Sequence, residues 1–541
     1  MFNPTILILS PQEGFFICPN SAKLRHMYKP VIGLEIHAEL KTKTKMFCDS
    51  LNDPDEKHPN INICPICVGH PGTLPVINHE AVRKVIMAGL ALNCKIAEDT
   101  FFERKNYFYP DLPKGYQITQ YQAPLCINGW LDIKSEARNP KSETNSKFET
   151  QNSKRIRITR IHLEEDAGRL QHLPGKDYSL VDYNRAGMPL MELVTEPDFE
   201  TGLEVKRFAE ELQLILRYLG VSDADMEKGL MRVEVNISLT GDDGKWGTKV
   251  EIKNLNSIKS ASDGVDYEIK RQTELLEAGE NVVQETRGWD DTKKATVSQR
   301  SKEEAHDYRY FPEPDLPPLK FTPAQIQEIK DGLFELPSQR RVRFAQYGLT
   351  EAQIEIFTVA RHLGDYYEHV ASELDASAKD FHTKKDLEGE YTSEPHLGRQ
   401  LHELSANYII TEFPSLMNAK GMEIDELEGF KISPEVFAEL MVLVFHKELS
   451  STGAKVVLKE MAETGLHPEQ IIKEKNLGQV SDKSEIETVV DNVIAKNIQA
   501  VEDYKNGKEA SLKFLVGMVM RESKGRANPQ MVEEILKNKL K

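Results

Sequence analysis

The chain has 541 residues, of which 39% are hydrophobic and 29% charged, and its formal net charge is −17 at pH 7. This acidic balance argues against a protein that coats nucleic acids unspecifically, because that activity needs positive surface to displace counterions. No apolar run is long enough to span a bilayer, so no membrane role is expected, and six cysteines in so long a chain do not make a disulfide framework.

A chain of this length predicts roughly two to four domains, each able to bury its own core. Residues 1–26 contain one short apolar run at 6–9, without the basic start, the apolar length or the cleavage pattern of a signal peptide. We predict a disordered N-terminal extension; an upstream start codon and an organellar presequence are the alternatives. The expected location is the cytoplasm, or an organellar matrix if the source is eukaryotic.

The clearest local pattern lies at residues 31–40, where charged and apolar side chains alternate. A strand turns successive side chains to opposite faces. One face of this predicted strand therefore carries Glu35, His37 and Glu39, and the other face is apolar. For a single segment of this kind, a solvated sheet surface is the commoner explanation.

Residues 47–73 form a predicted insertion that contains cysteines. Cys64 and Cys67 have the C-x-x-C spacing that aims two thiolates at one tetrahedral ion, and Cys48 lies upstream. These three residues predict half of a zinc knuckle, which His58 or Asp55 would complete. The alternative is three reduced cysteines in an irregular loop.

Three later segments repeat the acidic pattern: HLEEDAG at 162–168, DYNRAGMPLME at 182–192 with Glu196 and Asp198 after it, and RVEVNIS at 232–238. Residues 135–154, which precede them and are rich in Ser, Asn, Lys and Glu, predict a flexible loop that tolerates deletion. Carboxylates that converge repel one another unless a cation or a shared proton neutralises them, and oxygen-rich clusters suit Mg²⁺. Four such segments together predict a metal site on a sheet that handles phosphoryl groups.

Two helices are predicted behind these strands. Residues 201–219 begin with Thr201 and Glu204 as a capping box, carry an apolar stripe and end at Gly220. The second helix spans 258–277 and ends at Gly279. Helices that back a sheet give an α+β fold, so we predict a mixed-sheet cradle domain over residues 27–320 whose open face carries the site.

From residue 321 onward the hydrophobic period is helical. The region is divided by signals for the start and end of helices. Thr350 with Gln353 is typical of a helix start, and Gly465 and Gly525 are typical of helix ends. We predict an all-α helical domain over residues 321–470 and a small helical tail domain over 471–541. From residue 505 onward the tail has nine Lys or Arg against four Glu, so it can meet phosphates; the alternative is a solvated helical face.

Five segments resemble one known family, in order along the chain: GLEIH at 33–37, RKNYFYPD at 104–111, HLEEDAG at 162–168, KNLNS at 253–257 and DYRYFPEPD at 307–315. Each motif alone is weak, but their joint order is specific. The chain is similar, from residue 28 to the C-terminus, to the B subunit of the glutamyl-tRNA(Gln)/aspartyl-tRNA(Asn) amidotransferase, the GatB/GatE family.

The resemblance implies an ATP-dependent reaction in which the γ-carboxyl of misacylated Glu-tRNA(Gln) is phosphorylated and then amidated by ammonia, with Asp-tRNA(Asn) as a parallel substrate. It also implies a heterotrimer, in which an amidase-family glutaminase subunit supplies ammonia through a channel and a small third subunit clamps the pair. The family often has a further cysteine two residues after the first, where this chain has Ser50. That departure counts against zinc.

The reaction sets requirements that the residues can meet. A carboxylate is a poor electrophile, so phosphorylation must create a leaving group, and Mg²⁺ is needed to neutralise the transferring phosphoryl. The residues that we expect to hold the metal or act in catalysis are Glu35, His37, Glu165 and Glu192. His37 has two alternatives, a base toward ammonium and a hydrogen-bonded strand histidine.

Basic side chains complete the expected site. Those that we expect to bind phosphate or the tRNA terminus are Arg104, Lys105, Lys249 and Lys253, the alternative being plain strand-face charges. The tail resembles a helical module that contacts the tRNA body, and the residues that match its basic loops are Lys505, Lys508, Lys524 and Arg526.

Two other functions compete with this one: a non-catalytic tRNA-binding scaffold whose carboxylates buttress a sheet, and an unrelated Mg²⁺-dependent ligase that uses ATP. The chain has no G-x-x-x-x-G-K-[ST] loop, which counts against a common ATPase fold. Neither a Ser-Ser-Lys nor a Cys-His glutaminase signature is apparent. We therefore expect that this chain alone cannot release ammonia from glutamine.

Overall fold

The computed structural model describes residues 28–134, 153–241, 244–301, 307–385, 395–422, 427–477, 483–523, 527 and 529–540. The chain divides into two compact units, one ending at Leu336 and one beginning at Pro337. The expected N-terminal extension, residues 1–26, lies outside the described residues.

The first unit is built on strands, numbered here in chain order. They are β1 Lys29–Glu39, β2 Lys95–Ile96, β3 Asp99–Thr100, β4 Glu103–Asn106, β5 Tyr116–Thr119, β6 Cys126–Lys134, β7 Ser153–Glu165, β8 Arg169–His172, β9 Ser179–Asp182, β10 Pro189–Thr195, β11 Met231–Thr240, β12 Val250–Leu255, β13 Glu285–Asp290, β14 Ala295–Ser301, β15 Phe311–Pro312 and β16 Leu319–Lys320.

Nine of these strands form one sheet, in the order β14-β13-β12-β11-β1-β10-β7-β6-β2. Its strand pairs are antiparallel, apart from the parallel pair of β12 and β13. The prediction of a mixed sheet is confirmed. The remaining strands form three small sheets, ordered β15-β4-β5, β16-β3 and β8-β9.

One face of the large sheet is covered by helices: α1 His79–Ala91, α2 Gly202–Tyr218 and α3 Ile258–Glu277. Alternation in β1 sends its apolar side chains, such as Leu34 and Ile36, into the core beneath them. In α2 the stripe that includes Phe208 and Leu212 faces the same core. The predicted backing helices are confirmed, and the opposite face of the sheet carries the charged residues of β1.

The boundaries differ from those expected. Helix α4, Pro323–Asp331, follows the predicted end at residue 320 and still packs on the core of the first unit through Ile326 and Ile329. Of the predicted loop at 135–154, residues 135–152 lie outside the described residues, and the last two belong to β7. Lys154 is placed there by an ion pair with Glu204, 2.9 Å between Nζ and Oε2.

The hydrogen bonds at the start of α2 differ from those predicted. Thr201 caps the helix by accepting a hydrogen bond from the Glu204 N–H at 3.2 Å, as predicted. The Glu204 carboxylate, however, accepts from the backbone N–H of Glu200 instead of that of Thr201. Only half of the predicted capping box is therefore formed.

The second unit is helical throughout its described residues. Its helices are α5 Pro337–Ala345, α6 Glu351–Val359, α7 Arg361–Lys385, α8 Pro395–Asn418, α9 Pro434–Phe445, α10 Ser451–Thr464, α11 Pro468–Lys475, α12 Lys483–Lys496, α13 Ile498–Lys505, α14 Glu509–Glu522 and α15 Pro529–Leu540, with a 3₁₀ turn at Leu427–Gly429. Thr350 and Gln353 form a full capping box, and Gly465 ends α10 in the left-handed region.

Two separate apolar cores lie in this unit. One joins residues from Phe344 to Ile471, and the other joins residues from Ile486 to Leu540. Leu477 packs against the first core, so the change from one core to the other falls a few residues after the predicted boundary at 470. The predicted stop at Gly525 lies outside the described residues.

Leu212 provides a test of the helix packing on the sheet. Because its side chain is fully buried in the first core, we expect Leu212→Ala to cost about 2–5 kcal/mol of stability through lost burial and a cavity. Calorimetry should show a clearly lower transition temperature for the first unit. Glu210→Ala, on the exposed side of the same helix, is the control and should change little; equal shifts in both variants would contradict this packing.

Candidate active site

The site begins with one row of side chains across four adjacent strands. In the register of the sheet, His37 of β1 lies opposite Glu192 of β10 on one side and Arg232 of β11 on the other. Glu192 in turn lies opposite His162 of β7. Directly opposite residues of neighbouring strands put their side chains on the same face. This face is the one that the helices leave open.

Glu35 and Glu164 complete the row, each two residues along its strand from a histidine. His37 Nε2 is 3.4 Å from Glu164 Oε1, 3.4 Å from Glu192 Oε2 and 3.8 Å from Glu35 Oε1. His162 Nε2 is 3.7 Å from Glu192 Oε2 and 4.0 Å from Glu164 Oε2. We call these five residues the carboxylate–histidine cluster.

The cluster is mostly buried, and its charges shift one another. Burial alone would lower the pKa of His37, but hydrogen bonds to Glu164 and Glu192 and their charges raise the pKa to about 10. His37 is therefore an imidazolium at neutral pH, which counts against its expected alternative as a base toward ammonium. Burial lowers the pKa of His162.

The pKa values of Glu35 and Glu192 shift in opposite directions. Burial and the charge of Glu192 raise the pKa of Glu35. Burial also acts to raise the pKa of Glu192, but the two histidines and Arg160 outweigh burial and lower it. Arg160 Nη2 lies 3.1 Å from Glu192 Oε1. The carboxylates of the cluster thus have cationic side chains of the protein as neighbours.

An open cavity of about 510 Å³ lies over this cluster. Besides His162 and the carboxylates, the residues that line it include three cationic side chains and three tyrosines: Lys105, Arg160, Lys253, Tyr121, Tyr308 and Tyr310. Tyr121 and Tyr310 are stacked, with ring centroids 4.6 Å apart. The cavity therefore combines a carboxylate-rich floor with basic and aromatic walls.

Glu39, on the same face of β1, belongs to a different network. Arg185 Nε lies 2.9 Å from Glu39 Oε1 and 2.6 Å from Asp166 Oδ2, and Arg232 Nη2 lies 3.2 Å from Asp166 Oδ1. Despite burial, these guanidinium groups lower the pKa of Asp166 to about 2, whereas burial raises the pKa of Glu39 to about 7. Two fixed cations already neutralise this network.

The structure brings together three of the four expected metal and catalytic residues, Glu35, His37 and Glu192, but not Glu165. Glu165 follows Glu164 in β7 and so points to the other face. There it forms an ion pair with Lys114 and accepts a hydrogen bond of 2.9 Å from the Ile118 N–H. Glu164 takes the expected place.

Glu164 and His162 could have been found from the sequence. They are two residues apart in HLEEDAG, the spacing that places Glu35 and His37 on one face in the first segment. The alternation along β7 therefore favours Glu164 over Glu165. Arg160, two residues before His162, follows the same rule, whereas the tyrosines at 121, 308 and 310 carry no local signal.

Of the four residues expected to bind phosphate, two line the cavity and two do not. Lys105 and Lys253 line the cavity, and Lys253 Nζ lies 2.7 Å from Glu234 Oε2. Arg104, next to Lys105 in β4, points away and makes two hydrogen bonds of 2.7 Å to the buried carboxylate of Glu313. Lys249 is exposed before β12 and is not among the residues that line the cavity.

The expected tRNA-binding residues of the tail are only partly described. Lys505 is exposed at the end of α13, and Lys508 is exposed with its Nζ 3.0 Å from Asp503 Oδ1. Lys524 and Arg526 lie outside the described residues. The role of all four in binding tRNA stays a prediction.

The three expected zinc ligands do lie together. The sulfur atoms of Cys48, Cys64 and Cys67 all lie within 4.8 Å of one another. A hydrogen bond from the Cys48 thiol lowers the pKa of Cys67 to about 5 and raises that of Cys48. His58 and Asp55, the expected fourth ligands, are exposed and pair instead with Glu56 and Lys228. The three cysteines are thus close enough to share an ion, and zinc binding stays a prediction.

Comparison with known proteins decides the family. A family model described as the GatB/GatE catalytic domain matches residues 30–327, and one described as the GatB domain matches residues 397–540. The chain belongs to the GatB/GatE family. The resemblance of the five sequence motifs is confirmed, and the carboxylate–histidine cluster lies within the part that matches the catalytic domain.

Curated relatives align over nearly the whole chain, and each is named as the B subunit of an aspartyl/glutamyl-tRNA(Asn/Gln) amidotransferase. Those from Carboxydothermus hydrogenoformans and Caldicellulosiruptor saccharolyticus are both 47% identical, over 518 and 515 residues. One from Dehalococcoides mccartyi is 45% identical over 518 residues. Each alignment covers 95% of this chain and 99% of the relative. Within the described residues, we find no helix that could cross a membrane.

The charge of His37 can be measured. Because Glu164 hydrogen-bonds to His37, we expect Glu164→Gln to lower the pKa of His37 by about one unit or more. Nuclear magnetic resonance of the chain with labelled histidine gives this value. Glu165→Gln is the matched control, since Glu165 pairs with Lys114; a larger effect from Glu165→Gln would contradict the geometry of the cluster.

Proposed function

We propose that this chain is the subunit of a tRNA-dependent amidotransferase that activates and amidates the side-chain carboxyl of Glu-tRNA(Gln), Asp-tRNA(Asn) or both. The near-complete alignment with subunits that carry this name is the observation on which the proposal rests. The open cavity with acidic floor and basic walls supports it. The enzyme is a ligase that hydrolyses ATP.

The reaction has two steps. The γ-phosphoryl of ATP is transferred to a carboxylate oxygen of the aminoacyl-tRNA, which releases ADP and leaves an acyl phosphate. Ammonia then attacks the acyl carbon, the bond to the phosphate oxygen breaks, and phosphate leaves with the amide formed. Positioning and charge stabilisation supply most of the catalysis in such transfers.

The cluster fits Mg²⁺ by its donor set. One ligand atom from each of Glu35, His37 and Glu192 lies within 4.8 Å of the others, and the same holds for His162, Glu164 and Glu192. Carboxylate oxygens are the ligands that this cation prefers. When bound, Mg²⁺ would neutralise the charge that develops on the transferring phosphoryl group.

The cationic wall has a separate task. Lys105, Arg160 and Lys253 line the cavity above the carboxylates, where they can pair with phosphate oxygens of ATP or of the tRNA terminus. Without such cations, a triphosphate would be repelled by the carboxylates below. The basic wall therefore orients the nucleotide so that its phosphates face the cluster.

The partners follow from the same proposal. The ammonia would come from an amidase-family glutaminase subunit, and a small third subunit would complete a heterotrimer. Misacylated tRNA would bind through the cavity at its acceptor end and through the tail, including Lys505 and Lys508, at its body. The chain without the glutaminase subunit should use added ammonium but release none from glutamine.

Transamidation tests the proposed chemistry. With partner subunits, ATP, Mg²⁺ and ammonium, we expect Glu192→Gln and Glu164→Gln to lower conversion of Glu-tRNA(Gln) by about 100-fold or more, because charge stabilisation in the cluster is lost. A filter assay should show unchanged tRNA binding. Glu227→Gln, at an exposed acidic residue, is the control. Full conversion by both cluster variants would favour a non-catalytic scaffold.

Binding of Mg²⁺ should release a proton. His37 holds a proton below a pKa of about 10, and a ligand nitrogen must give it up. We therefore expect Mg²⁺ affinity to rise with pH up to that value, by at most about tenfold per pH unit. Calorimetry in buffers of different ionisation enthalpy counts the protons. In His37→Gln this release should vanish; its persistence would place the metal elsewhere.

A further inference from the structure

Two of the five sequence motifs meet beside the cavity. The strand β4 leads into the motif at 104–111, and the motif at 307–315 lies against it as a mostly irregular segment, which we call the strap. Phe311, in the short strand β15 of the strap, pairs with Arg104 in antiparallel register. The strap brings Tyr308 and Tyr310 to the cavity, which both residues line. Segments far apart in the chain therefore build this side of the cavity together.

The aromatic side of the cavity is a row of three rings, which we call the tyrosine wall. Tyr310 stacks on Tyr121 with the ring planes 11° apart, and Tyr308 meets Tyr310 edge-on with the ring centroids 6.0 Å apart. Lys105 Nζ lies 5.1 Å from the ring centroid of Tyr308, and Arg160 Cζ lies 5.6 Å from that of Tyr121. Each end of the wall therefore has a cation beside it, and Tyr121 is 52% exposed.

A buried ion pair joins the strap to β4. Arg104 Nε and Nη2 each donate a hydrogen bond of 2.7 Å to one oxygen of Glu313, whose side chain is buried. The guanidinium lies 4.2 Å from the ring centroid of Tyr116, and the Glu313 N–H donates to the Phe102 carbonyl at 2.8 Å. Two parallel hydrogen bonds fix the orientation of a pair as well as its distance. Because a buried carboxylate is costly without its cation, this pair sets where the strap lies.

Two further residues of β4 hold the wall from both sides. Glu103 is buried, and its Oε2 accepts hydrogen bonds from the backbone N–H of Tyr121 at 2.9 Å and from that of the following residue at 2.7 Å. Asn106 Nδ2 donates to the Arg309 carbonyl of the strap at 2.8 Å. One strand of four residues therefore positions Tyr121 and the strap relative to each other.

We propose that the tyrosine wall binds the adenine base of a substrate, and that Arg104, through Glu313, is a positioning residue that holds the wall in place. Aromatic rings stack on the faces of bases, and cations beside them pair with the attached phosphates. The inference rests on the proposed function, in which ATP and the 3′-terminal residue of the tRNA both bring an adenosine to the cavity. Arg104 therefore acts on the substrate through the strap, without binding phosphate itself.

The wall is tested by removing one ring. In the chain assembled with its partner subunits, affinity for ATP is measured by calorimetry and affinity for uncharged tRNA(Gln) by filter binding. Tyr310→Ala should weaken binding of the ligand that stacks on the wall by about tenfold, whereas Tyr310→Phe, which keeps the ring, should bind like wild type. A loss confined to ATP assigns the base to ATP. A loss with tRNA that vanishes for tRNA lacking its terminal adenosine assigns the base to that residue.

The positioning role is tested with Arg104→Lys, which keeps the charge but loses the paired hydrogen bonds. In transamidation, the KM of the ligand that Tyr310→Ala weakens should rise about threefold or more, while kcat changes little. A merely structural role would lower the amount of folded enzyme and leave KM unchanged. Arg271→Lys is the matched control, because Arg271 makes the same double hydrogen bond, of 2.8 and 2.9 Å, to the buried Glu268 on α3. It should leave both KM values unchanged.

The outcomes separate this inference from the proposed function. Wild-type enzyme that binds ATP and tRNA, with both affinities retained in Tyr310→Ala, would overturn the inference alone. An unchanged KM in Arg104→Lys would overturn the positioning role. If that variant does not fold, Asn106→Ala, which removes the side-chain bond to the Arg309 carbonyl, makes the same test. Wild-type enzyme that binds neither ligand would contradict the proposed function and this inference with it.

Discussion

Three carboxylates crowded against two imidazoles in the middle of a sheet are the arrangement on which the first unit depends. Glu35, Glu164 and Glu192 lie close to His37 on the face of the sheet opposite α1, α2 and α3. Such a group is costly unless cations enter it. The imidazolium of His37 and the guanidinium of Arg160 supply positive charge to this group.

The contrast with Glu39 shows why only one part of this face is a candidate for catalysis. Arg185 and Arg232, which cannot give up their protons, neutralise the network of Glu39 and Asp166. In the cluster the corresponding cation is a histidine, which can give up its proton. One strand, β1, thus contributes to a network whose charges are fixed and to one whose charge can change, within five residues.

The features of the fold and the site that could be predicted from the sequence are those set by residues close together in the chain. The alternation in β1 placed Glu35 and His37 on the open face, and local signals such as terminal glycines predicted α2 and α3. The same alternation in β7 favours Glu164 over Glu165. The walls of the cavity were not predictable in this way, because Tyr121 and Tyr310 approach each other from segments far apart in sequence.

The order of strands has a consequence for synthesis of the protein. β1 lies near the middle of the sheet, but its partners β10 and β11 come much later in the chain. Roughly 200 further residues must leave the ribosome before Thr240 completes β11, which takes about ten to forty seconds at ordinary elongation rates. Both edges of β1 stay unpaired until β10 is made, and one edge stays unpaired until β11 follows; exposed edges attract other chains. The carboxylate–histidine cluster spans β1, β10 and β7, so it is assembled only after most of the first unit has been synthesised.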